Sequence, residues 1–237
     1  MLPQDSQPFA EPYYTAVVQT GAVSRSADAR EISSMSTAAQ LSELKTQIRE
    51  QAHAARTDQL NKDEVSRVIV DRVMQLPEYQ QAQTVMFYVD VRTEVRTRQA
   101  LPAALASGKR IVIPYCVDGE LELFHLESMD ELELGMYRIL EPKAELRTVL
   151  AKKTPVEELD LILVPGVAFD RRGGRTGHGK GYYDKLLEHA LSKTPMVALA
   201  FECQLFPEIP MQDHDIYMDK VVTEASVYEG LGRGKKS

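Results

Sequence analysis

The 237-residue sequence has no tryptophan and only two cysteines, Cys116 and Cys203. Two cysteines cannot form a disulfide framework in a chain of this length, so we expect reduced, buried thiols in an intracellular protein. Neither cysteine has a partner cysteine or histidine at zinc-ligand spacing, which argues against a structural zinc site. No apolar run approaches the roughly 18 residues of a membrane-spanning helix, so we expect no membrane partner.

The charge is biased towards acid, with 28 Lys and Arg against 35 Asp and Glu, a net charge of −7. A net acidic protein is a poor general ligand for nucleic acid, so we expect no such partner. The N-terminus lacks the basic start and apolar stretch of a secretory signal, and Asp5 and Glu11 precede its first arginine, Arg25. These features predict a cytoplasmic protein, with weaker support for a mitochondrial one.

Residues 1–35 contain prolines and serines without a sustained hydrophobic period, and we interpret them as a poorly ordered N-terminal extension. The pair Ser36–Thr37 offers helix caps, so a single folded domain is expected over residues 36–230. Residues 231–237 are expected to form a short basic tail. No internal repeat is present to suggest a solenoid.

Within that domain, predicted helices alternate with short apolar strands. The helices are expected at residues 36–55, 62–76, 97–107 and 182–192, and the strands at 84–89, 110–117, 120–126, 159–164, 196–201 and 220–223. Continuous apolar strands separated by helices are typical of a mostly parallel sheet that is covered on both faces. The sequence therefore predicts a single three-layer α/β/α domain, with ligands at the carboxyl ends of the strands.

The most informative feature is a cluster of glycines between a predicted buried strand and a predicted helix. Six of the 13 glycines lie there: Gly166, Gly173, Gly174, Gly177, Gly179 and Gly181. Glycine allows backbone N–H groups to approach an anion, and a helix N-terminus adds partial positive charge. Arg175 and Lys180 add full charges in the same segment. The segment is therefore predicted to be a phosphate-binding strand–loop–helix.

Two common phosphate motifs do not fit this segment. The P-loop pattern begins at Gly174 and reaches Lys180, but the next residue is Gly181 rather than serine or threonine. The dinucleotide fingerprint would need a third glycine where Tyr182 stands. A flexible surface loop with solvated charges is the plain alternative, and the tyrosines and Asp184 at its end argue against it.

The segment RTGHGKGYYD, preceded by PGVAFD, closely resembles the signature of the 5-formyltetrahydrofolate cyclo-ligase family, also called methenyltetrahydrofolate synthetases. The resemblance covers roughly residues 40–228. Its other components stand in the expected order: Lys45-x-x-x-Arg49, Leu76-Pro77-Glu78-Tyr79, Glu94-x-x-Thr97, Gly108-Lys109 with Ile113-Pro114, and Asp215-x-x-x-Asp219.

The resemblance implies an enzyme that uses ATP and Mg²⁺ to cyclise 5-formyltetrahydrofolate, free or polyglutamylated, to 5,10-methenyltetrahydrofolate. It implies catalytic roles for Lys180 and Arg175. The implied ATP-binding residues are Lys45, Arg49, Arg175, Thr176, Gly177, His178, Gly179, Lys180, Gly181, Tyr182 and Tyr183. The implied folate-binding residues are Val89, Glu94, His178 and Tyr182, and the implied magnesium ligands are Asp184 and Asp215. The enzyme is expected to be a monomer.

Each of these residue types also has an ordinary structural explanation. Lys45 and Arg49 could form a solvated basic helix face, since like charges four residues apart repel weakly. Asp184 could cap a helix, Glu94 could be an exposed turn carboxylate, and Tyr183 could pack in the core. His178 stands where the family commonly has arginine, and Arg96 where an acidic residue is usual.

Two other functions remain open from the sequence. A non-catalytic relative could bind folate or nucleotide as a regulator. A sugar-phosphate isomerase could use a similar sheet without any nucleotide.

Overall fold

The computed structural model describes residues 27–135, 139–212 and 215–233. The described residues from Gln40 onwards belong to one compact unit. Residues 1–26 of the expected extension and 234–237 of the expected tail lie outside the described residues, so their predicted character stays a prediction.

The first helix, α1, spans Ala27–Asp58 and begins upstream of the predicted start at Ser36. The predicted start was wrong because alanine and arginine, which are strong helix formers, precede that serine at Ala27, Ala29 and Arg30. A serine in such a context is tolerated inside a helix rather than serving as its cap.

The remaining helices are α2 (Lys62–Met74), α3 (Pro77–Gln81), α4 (Leu101–Ala106) and α5 (Tyr182–His189). The strands are β1 (Thr84–Met86), β2 (Arg110–Val117), β3 (Glu120–Leu126), β4 (Leu132–Leu134), β5 (Leu140–Pro142), β6 (Leu161–Val164), β7 (Ala168–Asp170), β8 (Arg175–Thr176), β9 (Met196–Leu199), β10 (Leu205–Phe206), β11 (Lys220–Val222) and β12 (Val227–Glu229). Pro77 and Pro102 each stand in the first turn of a helix, where a missing N–H costs nothing.

The main sheet has seven strands in the order β12–β11–β9–β6–β1–β2–β3. All neighbours from β11 to β2 are parallel, and the edge strands β12 and β3 are antiparallel. The predicted mostly parallel sheet is therefore confirmed. Two smaller sheets accompany it, β10–β7–β8 and the hairpin β4–β5.

Helices cover both faces of this sheet. Val85 and Met86 are consecutive in β1 and point into opposite cores, as the pleat of a strand requires. The core on the Val85 side includes Ile69 and Val73 of α2, and the core on the Met86 side includes Leu187 of α5. Burying each such side chain stabilises the fold by about 1.5–3 kcal/mol. The predicted three-layer arrangement is confirmed.

Some apolar runs continue beyond the paired strand. The run predicted as a strand at residues 84–89 pairs only as far as Met86, although Phe87 and Tyr88 are also fully or almost fully buried. A continuous apolar run therefore marks burial, and it does not fix where backbone pairing ends. Among the described helices, none is both long enough and apolar enough to cross a membrane.

Candidate active site

A cavity of about 320 Å³ lies beyond the carboxyl ends of β1, β2 and β6. This is the position at which open parallel sheets bind ligands. Most of the residues predicted for the site line the cavity: Val89, Glu94, Arg175, Gly177, His178, Gly179, Lys180, Gly181, Tyr182, Tyr183 and Asp184. Four predicted residues are outside its lining: Lys45, Arg49, Thr176 and Asp215.

The glycine-rich segment differs from the predicted strand–loop–helix because it contains a β-hairpin, β7–β8. The carboxylate of Asp170, which is almost fully buried, builds the hairpin turn. It accepts hydrogen bonds from the backbone N–H groups of Arg172 at 2.9 Å and Gly174 at 2.8 Å. Gly173 adopts φ +89°, which suits the tight turn. These two glycines therefore shape the hairpin, and the later glycines shape the cavity.

The turn from Gly177 to Gly181 leads directly into α5 and forms one wall of the cavity. Gly179 and Gly181 adopt φ values of +82° and +70°. A Cβ on Gly177 would lie 3.1 Å from a guanidinium nitrogen of Arg175, closer than side chains normally pack. Glycine is therefore favoured at Gly179 and Gly181 by their backbone conformation, and at Gly177 by the limited space beside Arg175.

Arg175 is the buried cation of the cavity. Its guanidinium donates to the carbonyl oxygen of Pro165 at 3.3 Å and forms an ion pair with the carboxylate of Asp184. The guanidinium carbon also lies 6.0 Å from the ring centroid of Tyr183. Burial raises the pKa of the Tyr183 hydroxyl above its ordinary value, so this residue stays a neutral donor. Tyr183 also packs against both sheet cores, so it serves the core and the cavity together.

Two cations of α1 lie one turn apart and face the loops beside the cavity. Arg49 Nε donates to the carbonyl oxygen of Gly177 at 2.9 Å, and Lys45 Nζ lies 2.7 Å from Asp215 Oδ2. The contact of Arg49 places a fixed positive charge directly against the glycine turn. Lys45 and Arg49 therefore form a site-facing pair rather than a solvated basic surface.

The two carboxylates predicted to bind magnesium, Asp184 and Asp215, are both held in ion pairs. Asp184 pairs with Arg175, and Asp215 pairs with Lys45 while accepting a hydrogen bond from the backbone of Gln212. Over residues 27–135, 139–212 and 215–233, the structure shows no cluster of three or more acidic, histidine or cysteine side chains placed to hold a metal ion. Two hard oxygen donors with coordinated water still suit Mg²⁺, which keeps several of its waters.

Glu94 lies on the loop that follows β1 and is almost fully buried, which rules out the exposed turn carboxylate. Its Oε2 accepts a hydrogen bond from the backbone N–H of Val91 at 3.0 Å, and its Oε1 lies 3.5 Å from His178 Nε2. The carboxylate is thereby oriented towards the cavity, where it can accept N–H groups of a ligand.

Sequence reasoning missed the apolar wall of the cavity and the two residues behind His178. The wall is formed by Pro114, Tyr115, Leu121, Ile139 and Leu140. Cys116 is also in the lining and is exposed, so the expectation of a buried thiol is wrong for this residue because its strand end opens into the cavity. The alternation of apolar and polar residues along β2 and β3 is the sequence signal that could have indicated this apolar wall. Nothing in the sequence indicates His53 or Arg56, which meet the site through tertiary contacts of α1.

The fold and site define an α/β protein whose cavity joins a cationic, glycine-rich turn to an apolar wall and a buried carboxylate. Such a cavity suits a ligand pair of a polyphosphate and an aromatic ring system. The chain belongs to the 5-formyltetrahydrofolate cyclo-ligase family, whose model matches residues 38–224.

Relatives with this family name agree with the assignment. The chain is 34% identical to the "Probable 5-formyltetrahydrofolate cyclo-ligase" of Schizosaccharomyces pombe, over 71% of this chain and 88% of the relative. It is 32% identical to the Escherichia coli K12 5-formyltetrahydrofolate cyclo-ligase, over 77% of this chain and 99% of the relative. The solution structure of Aquifex aeolicus 5,10-methenyltetrahydrofolate synthetase superposes with a TM-score of 0.69 at 31% identity, covering 82% of this chain and 95% of that one.

Proposed function

We propose that this protein catalyses the ATP- and Mg²⁺-dependent cyclisation of 5-formyltetrahydrofolate to 5,10-methenyltetrahydrofolate, with release of ADP and phosphate. The observation that carries the proposal is the shared cavity: Glu94, Arg175, Lys180 and the Gly177–Gly181 turn line the same space. Membership of the cyclo-ligase family supports the same reaction.

The reaction needs ATP because the formyl oxygen of the substrate is a poor leaving group. Bound Mg-ATP would supply the γ-phosphoryl group, whose bond to ADP breaks as the group is transferred to that oxygen. N10 would then attack the formyl carbon and lose its proton to solvent, and the C–O bond would break to release phosphate. Catalysis of such a transfer depends on positioning and charge neutralisation rather than on an enzyme nucleophile. The cavity agrees with this requirement, since it offers cations and backbone N–H groups.

The cations of the site have separate tasks in this proposal. Arg175 is buried and fixed by Pro165, so it provides a rigid charge at the base of the cavity. Lys180 is exposed on the glycine turn and makes no hydrogen bond or ion pair with any described residue, which leaves its ammonium group available to the transferred phosphoryl group. Lys45 and Arg49 hold the rest of the triphosphate from α1.

The carboxylates Asp184 and Asp215 would hold magnesium. Each is paired with a cation that the triphosphate would attract, Arg175 or Lys45, so nucleotide binding would release carboxylate oxygens at the time the metal arrives. Glu94 would accept N–H groups of the folate ring, with Val89 and Tyr182 beside it. A cytoplasmic location, a monomeric state and the use of free or polyglutamylated substrate belong to the same proposal.

The direct test is an absorbance assay with purified protein, 5-formyltetrahydrofolate and Mg-ATP. We expect the absorbance of the methenyl product to rise in step with the release of ADP. Folate binding without ATP turnover would instead establish the regulatory relative. An absence of both ATP binding by calorimetry and folate binding would contradict the cyclo-ligase reaction and favour an isomerase.

A further inference from the structure

His53 is a partly buried residue of α1 that contacts His178 and lies outside the lining of the cavity. Its ring lies against the ring of His178, with centroids 5.3 Å apart and planes inclined by 30°. His178 itself is substantially exposed at the tip of the glycine turn, with 43% of its side chain accessible. A packed ring is therefore what restricts the orientation of an otherwise exposed imidazole.

The position of His53 is fixed by Arg56, one turn further along α1. Arg56 is 1% exposed, and its guanidinium donates to Thr93 Oγ1 at 2.8 Å and to the carbonyl oxygen of Gly166 at 3.2 Å. Its remaining terminal nitrogen lies 3.4 Å from His53 Nδ1. Arginine has donors and no acceptor, so Nδ1 of His53 must accept this hydrogen bond and carry no proton. The contact therefore selects the neutral imidazole with its proton on Nε2.

The contacts form a continuous series from the buried guanidinium to the folate pocket. Arg56 holds His53, His53 packs on His178, and His178 Nε2 lies 3.5 Å from Glu94 Oε1. Glu94 is the almost fully buried member of the carboxylates that line the cavity. A change at His53 therefore reaches the cavity through its ring contact with His178 and the contact of His178 with Glu94, without His53 lining the cavity.

We propose that His53 is a positioning residue that, as the neutral imidazole, holds His178 and through it Glu94 in the geometry that binds the folate ring. The inference rests on the proposed function, because it gives Glu94 a folate ligand. The charged and titratable groups that face His53 are Arg56 on its own helix, His178 on the glycine turn, and Arg92 and Glu94 on the loop after β1.

These surroundings disfavour a proton on His53. Burial, followed by Arg56, His178 and Arg92, lowers the pKa of His53 from 6.5, and Glu94 alone among these groups acts in the opposite direction. A protonated His53 would lose the hydrogen bond from Arg56 and face its positive charge. Acidification should therefore loosen the ring contact and weaken folate binding.

The test compares three variants in steady-state assays from about pH 5.5 to about pH 8, the range in which imidazoles titrate. His53→Ala removes the ring, and we expect the KM for 5-formyltetrahydrofolate to rise about three- to tenfold, the factor typical of an aromatic contact, with kcat and the KM for ATP little changed. His53→Phe keeps a ring that cannot be protonated. For this variant we expect the KM for 5-formyltetrahydrofolate to be near that of the unsubstituted enzyme at neutral pH. On acidification, this KM should rise less than it does in the unsubstituted enzyme.

The matched control is His125→Gln. His125 is a partly buried histidine of β3 whose pKa is also lowered by burial, but it does not line the cavity. This variant should keep the pH profile of the unsubstituted enzyme. Thermal unfolding of each variant verifies that it is folded.

The outcomes separate this inference from the proposed function. An unsubstituted enzyme that forms no methenyl product would refute the function itself. If the enzyme is active but His53→Ala leaves the KM for 5-formyltetrahydrofolate unchanged, the role of His53 is overturned and the function stays intact. The same conclusion follows if this KM rises on acidification as much in His53→Phe as in the unsubstituted enzyme. A fall in kcat together with a rise in the KM values for both folate and ATP would indicate that His53 is merely structural, and would also overturn the proposed positioning role.

Discussion

Lys180 is distinguished at the residue scale by its lack of a partner among the described residues, whereas Arg175 and Lys45 are engaged in ion pairs. A free ammonium group beside a transferred phosphoryl group stabilises charge that develops in the transition state. We expect Lys180→Ala to lower kcat by about 100-fold or more, the cost typical of removing one such group. Its unfolding temperature should stay unchanged because the residue is exposed.

The control for this prediction is Lys193→Ala, which removes an exposed lysine outside the cavity lining. Both variants should unfold alike, and only Lys180→Ala should lose activity in the methenyl assay. An unaltered rate in Lys180→Ala would show that the glycine turn does not contact the transferred group.

Asp215 gives a second residue-scale prediction, which concerns the metal. Asp215→Asn keeps the size of the side chain but removes the charge that a magnesium ligand supplies. We expect the Mg²⁺ concentration that gives half-maximal rate to rise at least about tenfold, the lower end of effects around metal sites. The rate at saturating Mg²⁺ should fall by a smaller factor than the apparent affinity for Mg²⁺. Asp71→Asn, on the exposed surface of α2, is the control; an equal Mg²⁺ requirement in the two variants would contradict the assignment.

At the element scale, the β7–β8 hairpin depends on one buried carboxylate. Asp170 is 1% exposed and accepts backbone hydrogen bonds within its own turn and from Ile209 at 2.8 Å. Asp170→Ala would leave several buried N–H groups without an acceptor, each costing about 1–3 kcal/mol. We expect the free energy of unfolding to fall by about 3 kcal/mol or more in urea denaturation. The exposed Asp130→Ala should change it by less than about 0.5 kcal/mol, and a similar small change in Asp170→Ala would refute the role of the carboxylate.

The same hairpin shows what sequence reasoning can and cannot resolve within an element. The glycines, the cations and the following helix predicted a phosphate-binding loop, and Gly177–Gly181 of that segment line a cavity. The division of labour between Gly173 and Gly177 was not predictable. A Cβ on Gly173 would lie 2.3 Å from the carbonyl oxygen of Met218, a residue far along the chain. Because this contact joins distant segments, no local sequence pattern around Gly173 indicates it.

At the scale of the whole molecule, the parallel sheet was predictable because each central strand is buried on both faces and is encoded as a continuous apolar run. Helix α1 was only partly predictable. Its apolar residues Leu41, Leu44 and Ile48 recur at the spacing of one helix face, which indicates that Ile48 is buried. The contacts of Arg56 with Thr93 and Gly166 join segments that no sequence period links. The residues that surround a site from several elements are specified by tertiary packing, and for this reason His53 escaped the sequence analysis.

The stability of the whole molecule should depend on pH through two partly buried histidines, His53 and His125. Burial first, and then neighbouring arginines, lowers the pKa values of His53 and His125 from 6.5. Between each lowered native value and 6.5, the unfolded chain binds more protons than the native protein, so the free energy of unfolding rises with pH in that window. We therefore expect stability to be highest above pH 6.5 and to fall on acidification, by at most about 1.4 kcal/mol per pH unit for each proton.

Urea denaturation at a series of pH values between about 5 and about 7.5 measures this dependence in the range where imidazoles titrate. The series stops at about pH 5 because burial raises the pKa values of the Asp90 and Asp219 carboxyl groups from 3.8. At more acid pH these groups bind protons more readily in the native protein than in the unfolded chain, so their protonation stabilises the fold and opposes the effect of the histidines. His125→Gln cannot bind the proton, so its stability should vary less steeply with pH than that of the unsubstituted protein. Since His125 lies outside the cavity lining, the pH dependence of the folate KM should be the same in both proteins. An equally steep stability profile would show that His125 does not contribute to the acid loss of stability.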